Sequence, residues 1–341
     1  MNSNRTSLSQ SSDQPFKAHS IGQLFSKQAA NYYQNPKSKL LLFSCDPLIG
    51  QLVRSSLYQY TSEYFDVNYL SDGGDLIDDS EVLKMFELAT HQHKTIVLIG
   101  AEPGFIGKLQ NLYDQHFHPL SISYISDQCT PLNALDLDSI YLKELNIIGF
   151  QRQHVLASSK SINYFRLGEF RNNPSSIESA IRRSELIYFN MNAMRSSDSP
   201  GSIIKNPSGF YAEDASSISR MVGMSERLKL FAISAWNENK DPEKITASLV
   251  AQMIWYFWEG CHLKQLDENL DKESMTQYLV ELKNLDYIIT FYKSETSGKW
   301  WFEEPLIDNE FSNQLIPCTY DEYLATAKDQ IPERILEMIN G

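Results

Sequence analysis

The sequence predicts an α/β fold built on a mainly parallel sheet. Three observations carry that expectation. Short apolar runs recur along the chain, and they are near-continuous rather than alternating, as strands buried on both faces are. Longer stretches of helical period lie between them. The two kinds of segment alternate over most of the length, which is the order a doubly wound sheet requires.

In chain order, the expected strands are 39–44 (KLLLFS), 95–100 (TIVLIG), 120–125 (LSISYI), 145–150 (LNIIGF), 163–167 (NYFRL), 186–190 (LIYFN) and 228–234 (LKLFAIS). Helices are expected at 47–60, 80–93, 104–114, 174–184, 213–223 and 243–264. The Gly pair of SDGGD (71–75) reads as a turn after a strand, and its acids would repel phosphate. Past residue 264 the pattern changes. DYIITFYKSETSGKWWFEEP reads as extended chain around a turn at Ser297 and Gly298. TYDEYLATAKDQIPERILEMI reads as closing helices, with Thr319 as a cap and Pro332 opening the second. Residues 1–37, polar and Ser-rich at the start, read as a disordered or adaptor tail, and 38–341 as a single domain.

Bulk properties narrow the function classes. The chain has 341 residues, is 42% hydrophobic, and carries a formal net charge of −13. An acidic surface argues against general binding to nucleic acid or to anionic membrane. TASLVAQMIWYFWEG (246–260), the most apolar stretch, is shorter than a membrane span and holds Gln252 and Glu259, so a buried helix is expected. Cys45, Cys129, Cys261 and Cys318 are scattered, with no CxxC pair. That fits reduced thiols and a cytoplasmic location. No P-loop or dinucleotide fingerprint occurs.

The stretch LIYFNMNAMRSSDSPG (186–201) has the shape of an active-site strand without its chemistry. Its apolar run ends on Asn190 and Asn192, at alternate positions, where a parallel sheet presents side chains to a ligand crevice. Metal hydrolysis would call for carboxylates there.

NMNAMRSSDSPG resembles, without a gap, the ureohydrolase (arginase-type) metal motif D-x-D-x-x-D-P-x-x-A-P-G. NPSGFYAEDASSISRMVG looks like the loop and helix that follow it. TASLVAQMIWYFWEG and FYKSETSGKWWFEEP with IPCTYDEYLATAKDQIPER look like C-terminal blocks of formimidoylglutamase-type arginase homologues. The resemblance covers roughly residues 39–337. It implies a three-layer α/β/α fold with a mainly parallel, eight-stranded sheet. Active members hold two Mn²⁺ ions at the C-terminal strand ends, where a bridging hydroxide attacks a guanidinium or formimino carbon.

Carried over residue by residue, the metal motifs land on unsuitable side chains. The Gly-Gly-x-His turn gives Pro103 in LIGAEPG. The D-A-H-x-D motif gives Ser126, Gln128 and Thr130 in YISDQCT, with Asp127 the lone acid between them. The third motif gives Asn190 and Asn192, and the family's substrate-contacting glutamate falls on Ala235. All six presumed ligand positions are neutral. Two divalent cations bring four positive charges into a half-buried crevice, and a set with no formal negative charge cannot offset their desolvation. The Gly-rich loop between the first strand and helix is missing as well. Asp127, Arg195 and Asp198 are the candidates for a remnant pocket, although Arg195 and Asp198 also read simply as a loop pair.

Other constellations have plain readings beside sharper ones. His91 and His93, and His116 and His118, have metal-like spacing only on a strand, and they fall at helix ends. Cys261 and His262, neighbours on a helix, point apart. Glu213 and Asp214 suit a helix N-terminus. Of Trp300 and Trp301, one should face the core; the other either packs too or marks a partner surface.

The expectation is therefore a non-catalytic arginase-fold protein acting through a protein or small-ligand partner, with no cofactor. The alternative is a formimidoylglutamase- or arginase-like hydrolase of linear amidines, with an Mn²⁺ pair. A third reading, a metal-independent enzyme, needs a titratable pair in the pocket. The resemblance also implies self-association, as a trimer or hexamer.

Overall fold

The computed structural model describes residues 17–26, 38–61, 63, 69–102, 104–116, 118–128, 134–154, 162–267, 272–282, 285, 287–303 and 314–340. The elements are α1 (Ile21–Ser26), β1 (Leu40–Ser44), α2 (Pro47–Leu57), β2 (Leu70–Asp75), α3 (Asp79–His91), β3 (Thr95–Ile99), α4 (Phe105–Gln115), β4 (Leu120–Ile125), β5 (Leu142–Phe150) and β6 (Ile162–Arg166). They continue as α5 (Leu167–Asn172), α6 (Glu178–Arg183), β7 (Leu186–Asn190), α7 (Ala212–Gly223), β8 (Leu230–Ser234) and α8 (Ile245–Asp267). Last come β9 (Thr276–Leu282), β10 (Tyr287–Lys293), β11 (Trp300–Glu303), β12 (Leu315–Cys318), α9 (Tyr320–Ala327) and α10 (Glu333–Asn340).

Eight strands form one sheet in the order β2-β1-β3-β8-β7-β4-β5-β6, with every neighbouring pair parallel. Both faces are buried, which is why the runs read as continuous. Along β7, Ile187 and Phe189 join a core with α2, α5, α6, α7 and α8, while Leu186 and Tyr188 join one with α3 and α4. The result is the expected three-layer α/β/α architecture. The chain builds β1 to β3 in one half and β4 to β6 in the other, then returns to insert β7 and β8 between them. Such a reversal is where open α/β sheets place their ligand crevice.

The close pairing of α7 and α8 rests on two glycines. A Cβ on Gly223 would sit 2.0 Å from the Phe257 carbonyl oxygen, and one on Gly260 2.1 Å from that of Arg220.

Several expectations change. SDGGD is not a turn but most of β2, an edge strand. Glycine is needed there for close approach: a Cβ on Gly73 would lie 1.7 Å from the Phe43 ring. Arg54, from α2, holds the strand through Asp72 at 2.8 Å, Asp75 at 2.7 Å and the Gly74 carbonyl at 2.7 Å. The expected helix 174–184 is a 3₁₀ turn at Pro174–Ile177 followed by α6. Of the tail 1–37, residues 1–16 and 27–37 lie outside the described residues. Between them α1 docks on the main body, where Ile21 is buried and donates its N–H to the Tyr60 carbonyl.

The C-terminal segment forms a second, antiparallel sheet, β12-β11-β10-β9, whose core lies under α9 and α10. Thr319 caps α9 in a reciprocal box with Glu322, and Pro332 immediately precedes α10. Both tryptophans are buried. Trp300 stacks on Tyr323, and Trp301 lies beneath Arg182 and Lys299. Arg182, fully enclosed, ties α6 to this sheet by donating to the Trp300 carbonyl at 3.1 Å. Among the described residues, no helix is long and apolar enough to cross a membrane.

Candidate functional site

Strand ends from both halves of the sheet converge at its C-terminal edge. Asn190 closes β7 opposite Ser234 of β8. Ser126 follows β4, and Ala235 follows β8 with φ of 73°. Gly100 and Ala101 follow β3. Pro103 and Thr130, two of the expected positions, lie outside the described residues.

Beneath this edge, side chains already fill the space. Tyr124 of β4 and Tyr188 of β7 stack face to face, with centroids 4.9 Å apart and planes within 6°. Both are buried, and burial pushes their phenols well above the ordinary tyrosine range. The Tyr188 hydroxyl donates to the Ala101 carbonyl at 3.0 Å, joining β7 to the loop after β3. The Tyr124 hydroxyl accepts from Asn190 Nδ2 at 3.2 Å.

The two amides hold the backbone. Asn190 Oδ1 accepts from the Asn192 N–H at 2.9 Å, capping the 3₁₀ turn Met191–Ala193. Asn192 Oδ1 accepts from the Ile204 N–H at 2.8 Å and so pins the loop that follows. Ser126 Oγ receives a long contact, 3.4 Å, from the Gln128 N–H. Asp46 caps α2 directly after β1, accepting from the N–H groups of Leu48 and Ile49, so strand runs into helix with no intervening glycine loop. Cys45 beside it is pushed up to about 12 by burial and by Asp79, Asp46 and Glu102.

Arg195 and Asp198 do pair, at 3.0 Å. Asp198 Oδ2 also accepts from the Ala212 N–H at the start of α7, and Asp214 accepts from Tyr211 in the same turn. Arg195 and Arg171 both stack on the Tyr211 ring, at 4.3 and 4.4 Å. These contacts fix a loop and a helix end. Asp127 belongs to a different cluster. It is 2% exposed, and its Oδ2 accepts from Asn206 Nδ2 at 2.9 Å and lies 3.6 Å from His154 Nε2. Burial raises its carboxyl above the usual range. The sequence did not single out His154. It sits in the connection after β5, and no spacing rule links it to the end of β4; only the pairing of β4 with β5 brings them together.

No family model matches the chain, and no curated protein matches it in sequence. Solved structures do match. One is the Trypanosoma cruzi formiminoglutamase with Mn²⁺, at a TM-score of 0.60 and 15% identity, covering 70% of this chain and 97% of that one. Another is the Bacillus subtilis formimidoylglutamase, at 0.61 and 13%, covering 75% and 96%. A third is an arginase superfamily protein from Trypanosoma cruzi, at 0.61 and 15%, covering 74% and 99%. The chain has an arginase-like α/β fold. In that fold the C-terminal edge of the sheet is here occupied by a tyrosine stack and by amides engaged with the backbone. Among the described residues, no group of three or more His, Cys, Asp or Glu gathers as a metal cluster.

Proposed function

We propose that this chain is an arginase-superfamily protein whose paired-metal hydrolysis has been given up and which acts by binding a protein or small ligand at the C-terminal edge of its sheet. The observation that supports this is how the donor set is used. Asn190 uses both ends of its amide to hold Tyr124 and the turn at Asn192, and Asn192 uses its oxygen on Ile204. The only described acid in the D-A-H-x-D stretch, Asp127, faces Asn206 and His154 instead. These residues do not fit a pair of manganese ions, which need several anionic oxygens to offset their desolvation. Ala235, in place of the glutamate, offers nothing to a substrate amidine. Trimeric or hexameric self-association belongs to the same proposal, and light scattering reads it.

Metal analysis after dialysis against excess Mn²⁺ tests the reading. The expected result is no stoichiometric pair in the wild type, and none in Asn190→Asp with Asn192→Asp. Two ions per chain in the wild type would overturn it. The likeness to formiminoglutamases favours the alternative, a metal-dependent hydrolase of linear amidines. That alternative requires Mn²⁺-dependent release of ammonia, formamide or urea.

A further inference from the structure

We infer that Asp127 and His154, with Asn206, form a mononuclear site for a borderline divalent cation such as Zn²⁺ or Co²⁺, separate from the six degenerate positions. The first observation is a spare acceptor. Asp127 is 2% exposed, yet among the described residues its Oδ1 has no hydrogen-bond partner. A buried carboxylate is tolerated when hydrogen bonds or a cation complete it. Among the described residues, Asp127 has no lysine or arginine within ion-pair distance; its one basic neighbour is His154.

The second observation is a distance. Oδ2 and Nε2 are 3.6 Å apart, too far for a hydrogen bond. Two donors on one tetrahedral ion, each bonded at about 2.0–2.1 Å, stand roughly 3.4 Å apart. The spacing is that of two ligands sharing a metal. The imidazole already presents Nε2 to the carboxylate, so little movement is needed.

Asn206 supplies the third ligand. Its Nδ2 lies 2.9 Å from Oδ2, and a half-turn of the amide puts Oδ1 in the same place. That rotation gives up the bond to Asp127 and a long 3.3 Å bond from the Ser208 N–H, and the cation between the two oxygens takes the place of the first. One carboxylate, one neutral imidazole and one amide oxygen leave a position for water. The set suits zinc or cobalt better than hard Mg²⁺ or Ca²⁺, which favour all-oxygen shells. His154, with its side chain 31% exposed, marks the entry side. Bound there, the ion would clamp the end of β4 to the connection after β5 and to the loop that carries Asn206.

Titrating the full-length, metal-stripped protein with Co²⁺, read by visible absorption and calorimetry, tests the site. One ion per chain is expected, displaced by Zn²⁺. His154→Gln and Asp127→Asn should each weaken binding by at least about tenfold. His154 is partly exposed, so its variant stays folded even if the Asp127 variant does not. Failure of the wild type to bind, or affinity unchanged in His154→Gln, would overturn the site and leave Asp127 and His154 as an ion pair only. Probe and variants differ from those of the manganese experiment, so failure here leaves the lost-pair reading intact.

Discussion

At the scale of single residues, Asn190 and Asn192 show how two amides can hold the end of β7 and the turn after it. Each amide oxygen accepts a backbone N–H that a carboxylate could also have accepted, so the local shape needs no charge. Asn192→Ala strands the Ile204 N–H, and Asn190→Ala removes the cap of the following turn. Each should cost about 1 kcal/mol in urea unfolding. The sequence made these two positions visible because the apolar run of β7 ends at them, although Asn190 closes the strand and Asn192 lies in the turn after it. Their partners could not be read there. Tyr124 reaches Asn190 from β4, a pairing that only the sheet order creates. Asp127 was visible as the lone acid, but His154 was not, since it belongs to another strand's exit loop.

At the scale of elements, the buried apolar strands were the most legible, because parallel strands covered on both faces leave a continuous apolar signature. β2 was the least legible, since LSDGGD has Leu70 as its only apolar side chain of the kind by which strands are recognised. Its stability comes from outside itself. Arg54 neutralises Asp72 and donates to Asp75, while Phe43 lies against Gly73. Arg54→Met would leave two acids at 8–10% side-chain exposure with no cation. The expected loss is 3–5 kcal/mol, by analogy with other broken buried pairs, read as a fall in the urea midpoint. The antiparallel sheet was half legible. The turn at Ser297 and Gly298 and the cap at Thr319 were in place, whereas β9 alternates exposed and covered residues and leaves a weaker trace.

At the scale of the whole molecule, ion pairs knit separate layers. Arg183 at the end of α6 grips Glu144 at the start of β5, with Nη2 to Oε1 at 2.7 Å. Burial alone would push Glu144 up. The Arg183 guanidinium, with help from Asn146, outweighs it and holds the carboxyl below its usual range. A depressed folded-state value means that the stabilisation is fully present above the unfolded-state value. It is lost as pH falls through the folded-state value. The wild type should therefore lose stability on the acid side, below the ordinary glutamate range, and Arg183→Met should flatten that limb in melts taken across pH. The fold class itself needed none of these pairs. It followed from the order of apolar runs, which is why the architecture could be read from the sequence while the chemistry at its edge could not.

The stacked phenols of Tyr124 and Tyr188 make the C-terminal edge of the sheet its own optical reporter. Sealed from hydroxide, they should stay un-ionised as the solution is made alkaline, long after surface tyrosines have turned to phenolate. Their ultraviolet change should then arrive in one step with loss of circular dichroism, because only an opened sheet edge lets base in. Phenolate appearing at both rings while the dichroism is unchanged would mean that water already reaches the stacked pair.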